Sequence, residues 1–254
     1  MASNKSWKAI FDKYNINEHD FNKEPFIITS KQIKDATAHF ENTAEKAVRL
    51  LCKQDSRNDR PSVFIENDLF LLPKQNGIYY IIKGEGYIDI PPINSNIIEY
   101  NSQLNFCLDT SLVGNSEMQH LDYAYASSLI RTFLNDESLV LTIRGRKYTP
   151  EFSFMVNGFN IKTKSVQTEV DAGYEGRNQV VLVEAKNSST TNTIIRQLFY
   201  PYKQWKQYTT KDVKCIFFEK ENDIYNIWEF TFLDENDYNS IQLSRSARYK
   251  IKCN

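Results

Sequence analysis

The chain has 254 residues, 31 of them Lys or Arg and 32 Asp or Glu, giving a net charge of −1 and the composition of an ordinary folded protein. So even a balance excludes a wholesale basic surface, and any contact with nucleic acid must rest on local clusters. No window approaches the roughly 20 apolar residues of a membrane span, and Met1-Ala2-Ser3-Asn4-Lys5 leads into a charged amphipathic stretch rather than a secretion signal.

Residues 1–56 read as helical. Trp7, Ile10, Phe11 and Tyr14 recur at helical spacing. Ser30 is placed to cap a short helix through Ile33 and Ala36, and Thr43 one through Ala47, Leu50 and Leu51. Residues 61–65, 69–72 and 77–82 are then short runs rich in Val, Ile, Phe and Tyr, which read as strands and hairpins. Short helices followed by a β-ribbon suit a winged-helix-like region for DNA recognition or dimerisation. The paired prolines of Ile90-Pro91-Pro92-Ile93-Asn94-Ser95-Asn96 suit neither helix nor central strand. They divide the chain into an N-terminal α+β region, residues 1–95, and a second domain, residues 96–254.

The second half is more regular. Asn115 or Ser116 begins a helix running to about residue 134, with Leu121, Tyr125, Leu129 and Phe133 on one stripe. Strands are expected at 139–143, 152–156, 166–171 and 180–186, a helix at 193–208, and further strands at 213–218 and 224–232. That order predicts an α/β (α+β) fold, with a mixed sheet flanked by helices. Pro201 should kink the 193–208 helix. The four cysteines form no CxxC pair and the three histidines are scattered, so a zinc site is not expected. Reduced thiols in a cytoplasmic protein are the plain expectation.

The chemistry concentrates in 169–187. Val180 to Val183 is a continuous apolar run, as for a strand covered on both faces. It ends in Glu184-Ala185-Lys186. Alternation puts Glu184 and Lys186 on one face, about 7 Å apart at Cα, and Ala185 on the other. Asp171 ends the preceding strand, and Gly173 and Gly176 allow the chain to turn between the two. A hairpin would bring Asp171 close to Glu184. Two carboxylates beside a lysine suit Mg²⁺, a hard cation that takes oxygen ligands and keeps water and phosphate in its remaining positions. The backbone carbonyl of Ala185 offers a further ligand. Glu169, on the same strand face as Asp171, and Glu117, at a helix start, are additional metal-ligand candidates.

Asp171, twelve intervening residues and Glu184-x-Lys186 resemble the PD-(D/E)xK nuclease motif, although Val170 replaces the proline that commonly precedes the aspartate. Glu169-Val-Asp171-Ala-Gly-Tyr-Glu175, Val183-Glu184-Ala-Lys186 and Arg196-Gln197-Leu-Phe-Tyr-Pro201-Tyr202 resemble one group of type II restriction endonucleases. The core of the resemblance covers about residues 115–232. It implies a restriction-endonuclease-like core and Mg²⁺-dependent, site-specific hydrolysis of double-stranded DNA leaving 5′-phosphate ends. Asp171 and Glu184 would bind metal and Lys186 would act on the attacking water. It also implies a homodimer, a cognate DNA methyltransferase and a bacterial cytoplasmic setting. The alternatives are a repair or methylation-dependent nuclease of the same superfamily, or a non-catalytic DNA-binding regulator.

Arg144, Arg146, Lys147, Lys162 and Lys164 are the expected phosphate contacts, with Arg196, Gln197 and Lys203 on the helix after the motif. The basic segment Arg245, Arg248, Lys250 and Lys252 is a further candidate.

Overall fold

The computed structural model describes residues 2–187 and 189–253. Its N-terminal part packs α1 (Ala2–Lys13), α2 (Ser30–Ala36), α3 (Thr43–Lys46), α4 (Val48–Leu51) and α5 (Ser62–Glu66) against three strands. These are β1 (Phe26–Thr29), β2 (Leu69–Gln75) and β3 (Ile78–Lys83), antiparallel in the order β1-β3-β2. Trp7, Phe11 and Phe64 meet edge to face in the middle of this unit, with Trp7 and Phe64 centroids 4.7 Å apart. The Trp7 indole N–H also donates to Leu51 O at 3.0 Å.

Three local expectations change here. Residues 61–65 form a helical turn rather than a strand. Pro61, at φ −59°, starts α5, and the turn drives Phe64 onto Trp7. Residues 26–29 are a strand within the stretch read as helical. The cap of α2 is Thr29, not Ser30: its hydroxyl accepts from Gln32 N while the Gln32 side chain accepts from Thr29 N, a reciprocal capping box.

β4 (Tyr87–Asp89) pairs with β11 (Asn192–Ile194) and fastens the linking segment to the second part of the chain. Trp228 does the same by donating its indole N–H to Pro91 O at 2.9 Å. The second part holds β5 (Ile98–Asn101), α6 (Glu117–Ala126), α7 (Leu129–Leu134), β6 (Val140–Tyr148), β7 (Phe152–Val156), β8 (Phe159–Thr163) and β9 (Gln167–Glu175). It continues through β10 (Gln179–Lys186), α8 (Arg196–Lys206), β12 (Asp212–Glu221), β13 (Ile224–Phe232) and β14 (Ile241–Lys252). A seven-stranded mixed sheet runs β5-β14-β13-β12-β10-β9-β6, parallel at β5/β14 and β10/β12 and antiparallel elsewhere.

The fold is α+β, as expected. Both sheet faces are covered, which accounts for the unbroken apolar run in β10. Val181, Val183 and Ala185 pack with Leu121, Leu129 and Phe133 of α6 and α7. Val180 and Leu182 face the other way, with Val170 and Ile143. The expected helix to residue 134 is broken by Ser128, at φ 65°, into α6 and α7. α8 begins at Arg196, because residues 192–194 are taken by β11, and it runs to Lys206 with Pro201 inside it. Gly173 lies within β9 rather than in a turn: a Cβ there would stand 2.6 Å from the Ile143 Cβ on β6. Gly176 alone serves the connection to β10.

Cys107 and Cys253 form a disulfide, Cα atoms 5.6 Å apart, which corrects the expectation of reduced thiols throughout. Cys52 and Cys215 are free. Among the described residues, no helix is long and apolar enough to cross a membrane.

Candidate active site

The ladder between β9 and β10 runs from Val180↔Glu175 to Val183↔Ala172 and stops there. The next residues on each side are Asp171 and Glu184, so the strands part where the carboxylates begin. The Ala185 N–H, freed from the ladder, donates to Asp171 Oδ2 at 2.8 Å. Lys186 lies two residues beyond Glu184 on the same face, and its ammonium is ion-paired with Glu184 Oε1. Ala185 points into the α6 side of the sheet. The three residues of the motif are thus brought together, and β12, parallel to β10 from residue 179 to 186, holds the strand beneath them.

They open into a cleft of about 430 Å³ that Glu117, Glu169, Asp55, Lys53, Arg196 and Gln197 also line. Five carboxylates against Lys53, Lys186 and Arg196 leave the lining with an excess of negative charge. Glu184 is 8% exposed. Burial pushes its carboxyl up to about 7; the Lys186 charge opposes this, and the Asp171 and Asp55 charges add to it. Burial also raises Asp171, against the Ala185 N–H and the Lys186 and Arg144 charges. For Lys186, burial works against the ammonium, but the charge and hydrogen bond of Glu184 outweigh it, and the net shift is upward. Lys186 therefore stays protonated at neutral pH.

Among the described residues, no three His, Cys, Asp or Glu side chains form a metal cluster by themselves. The donor set nonetheless suits a hard divalent cation. Mg²⁺ is commonly held by one or two carboxylates, with water and substrate phosphate completing the shell. Asp171 and Glu184 are two oxygen donors in a pocket short of positive charge.

Residues 82–250, about two thirds of the chain, match the family described as Domain of unknown function (DUF6997). The chain belongs to that family. Residues 4–81 match a second family, Domain of unknown function (DUF6996). These two matches meet at 81/82, at the end of β3, whereas the sequence reading set its division at residue 95. No curated protein matches the chain. Among solved structures, the crystal structure of SSO0001 aligns over 48% of this chain and 52% of its own, at 19% identity and a TM-score of 0.19. The chain thus spans about half the length of that protein, and the likeness is too slight to indicate a shared fold.

The other expected residues divide by position. Glu117, at the start of α6 behind the Ser116 cap, lines the cleft and supports the Lys186 charge. Glu169 lines it too, held by Arg146 at 3.1 Å. Arg196 and Gln197 stand at the start of α8. Arg196 reaches Asp55 at 3.5 Å, and Gln197 Oε1 accepts from the Thr193 hydroxyl at 2.5 Å. Arg144 pairs with Asp122, and the Lys147 ammonium lies 6.0 Å from the Trp205 ring centre. Lys162 and Lys164 both reach Glu151, at 2.6 and 3.9 Å, beside the β7–β8 hairpin.

Lys203 does not belong with the DNA-contact candidates. It is 8% exposed, and its ammonium donates to Asn236 Oδ1 at 2.8 Å. The basic C-terminal segment is β14, paired on both sides, with Arg245 drawn to Glu229 at 2.7 Å. Lys53, Asp55, Gln167 and Thr168 also line the cleft and were not singled out from the sequence. Lys53 and Asp55 come from the N-terminal part. Their loop is pinned to the core where Ile194 N donates to Asp55 O and Arg57 N to Asn192 Oδ1, at 2.8 and 2.7 Å. Nothing local marks such a loop as part of a site 116 residues further on.

Proposed function

We propose that this chain is a Mg²⁺-dependent nuclease of the type II restriction kind, hydrolysing phosphodiester bonds of double-stranded DNA at a specific site and leaving 5′-phosphate ends. The carrying observation is the parting of β9 and β10, which sets Asp171 on the Ala185 N–H and Lys186 on Glu184 at the floor of an acidic cleft. Asp171, Glu184 and the Ala185 carbonyl would hold the cation, with Glu117 and Glu169 within the same lining. When bound, Mg²⁺ supplies a polarised phosphate and a more acidic water.

The chain's own groups do the rest. Lys186, charged and anchored two residues from Glu184, donates to the attacking water and to the phosphate oxygens as negative charge builds on them. Arg196 and Gln197 face the cleft from the start of α8 and orient the phosphate backbone. Arg144 and Arg146 stand on β6, beside β9, where the duplex backbone would pass. A homodimer, a partner methyltransferase that protects host DNA and a cytoplasmic setting belong to the same proposal.

The test is a digest of unmethylated phage DNA by the purified chain, with Mg²⁺ and with EDTA, beside Lys186→Ala. Discrete fragments that require Mg²⁺ are expected, with cleavage slowed at least about 100-fold in the variant. Fragments that persist in EDTA, or a variant that cuts as fast as the natural chain, would overturn the assignment. A Mg²⁺-dependent smear would reduce it to a nonspecific nuclease.

A further inference from the structure

A second cavity, about 260 Å³, opens beside the catalytic cleft, between the β2–β3 ribbon and the nuclease core. Lys53, Asp55, Gln167 and Arg196 line both spaces, so the two are continuous. The second differs in chemistry. Its apolar walls are Leu71, Pro73, Val166, Ile194 and the half-buried Tyr79. Four side-chain amides also line it: Gln54, Gln75, Asn76 and Gln167. Gln54 is 2% exposed, yet neither its Nε2 nor its Oε1 has a hydrogen-bond partner among the described residues. Native interiors rarely leave both ends of an amide unpaired, so such a group marks a place where a partner is missing. The amides of Gln75 and Asn76, at the ribbon turn, and of Gln167 are exposed at the cavity's edge and make no side-chain hydrogen bonds among the described residues, so they are free to meet a ligand.

We propose that this cavity receives one unstacked nucleobase, adenine, from a nucleotide whose phosphate lies in the neighbouring cleft. The inference rests on the reading of the substrate as DNA. The volume falls below the roughly 300–1,000 Å³ of sites for drug-sized ligands, and suits a single flat ring system rather than a base pair. A carboxamide offers a donor beside an acceptor, the complement of adenine N7 and its N6 amine, and Gln and Asn are the usual readers of that edge. Asp55, the one carboxylate in the lining, is occupied by Arg196. The Tyr79 ring and the aliphatic walls supply the apolar contact that an extruded base exchanges for its neighbours in the stack. Arg196 and Lys53, at the junction of the two spaces, suit the connecting phosphates. On this reading the N-terminal part is a reader of the substrate, placed at the point of chemistry.

The experiment titrates the full chain with each of the four deoxynucleosides, and with 2-deoxyribose as a base-free control, followed by saturation-transfer NMR. Deoxyadenosine is expected to bind through its ring protons. Asn76→Ala and Gln167→Ala, both at exposed positions that leave the core intact, should each weaken it about fivefold or more. Binding of none of the four, preference for another base, or indifference to both substitutions would overturn the proposal. The digest reports separately on the nuclease reading. A chain that cuts DNA without binding deoxyadenosine keeps the nuclease and loses this pocket. Amide-dependent binding without cleavage does the reverse.

Discussion

Replacing the buried pair at the cleft with Glu184→Gln and Lys186→Met together gives a quantitative test of the site's electrostatics. Burial raises the Glu184 carboxyl from 4.5 to about 7 in the folded chain. The folded state therefore holds a proton that the unfolded state releases, so stability falls as pH climbs through that interval. The whole effect corresponds to about 3 kcal/mol, most of which is lost between roughly pH 5 and roughly pH 8.5. Lys186 is charged throughout this range in both states and contributes no slope. Asp171 and Glu219 are shifted in the same direction; Glu219 is common to both proteins, while Asp171 loses the opposing Lys186 charge in the variant, which narrows the difference. Urea unfolding in EDTA at the two pH values should show the natural chain losing more than the double variant on going to the higher pH, by up to about 3 kcal/mol. Mg²⁺ added at the higher pH should recover stability in the natural chain alone, because it binds the ionised carboxylates of the folded state. An equal pH response in the two proteins would refute the account of Glu184 as an acid held up by burial.

Three further outcomes are expected. Tyr238→Phe should cost about 2 kcal/mol or more in urea unfolding, because the buried hydroxyl both donates to Gly86 O and accepts from Arg196 N, at 3.0 and 2.9 Å. Gly173→Ala should cost about 1–3 kcal/mol, since its Cβ would meet Ile143 on the neighbouring strand, and a melting curve will show it. Cys253→Ser should lower stability by about 2–4 kcal/mol, since Cys107 and Cys253 are 146 residues apart, and dithiothreitol should bring the natural chain to the same value.

The legible parts of the fold were those with a strong local pattern. The strand at 180–186 was marked by four successive apolar residues. The alternation rule was enough to pair Glu184 with Lys186 and to leave Ala185 on the other face. The illegible parts were decided at a distance. Residues 193 and 194 read as the start of a helix but are drawn into a strand by Tyr87–Asp89. Residues 61–65 have strand composition but are helical because Phe64 completes an aromatic cluster. Lys203 follows the phosphate-facing pattern of a basic helix, yet the sheet and residue 236 enclose it. The contribution of Lys53 and Asp55 to the cleft is of the same kind: a polar loop carries no sign of where it will be pinned.

Among the described residues, the strand β5, residues 98–101, pairs with β14 alone, in register with residues 249–252. During synthesis it therefore waits about 150 residues for its partner, some seven to thirty seconds at ordinary ribosomal rates. Once made, β13 likewise has an open edge until residues 241–250 follow it. Such distant pairings fold slowly. A chain cut short before residue 241 would have made every carboxylate of the cleft and still lack the strand that closes one side of its sheet. Closure of the sheet thus waits on residues 241–252, which would delay the onset of any activity until that strand is made.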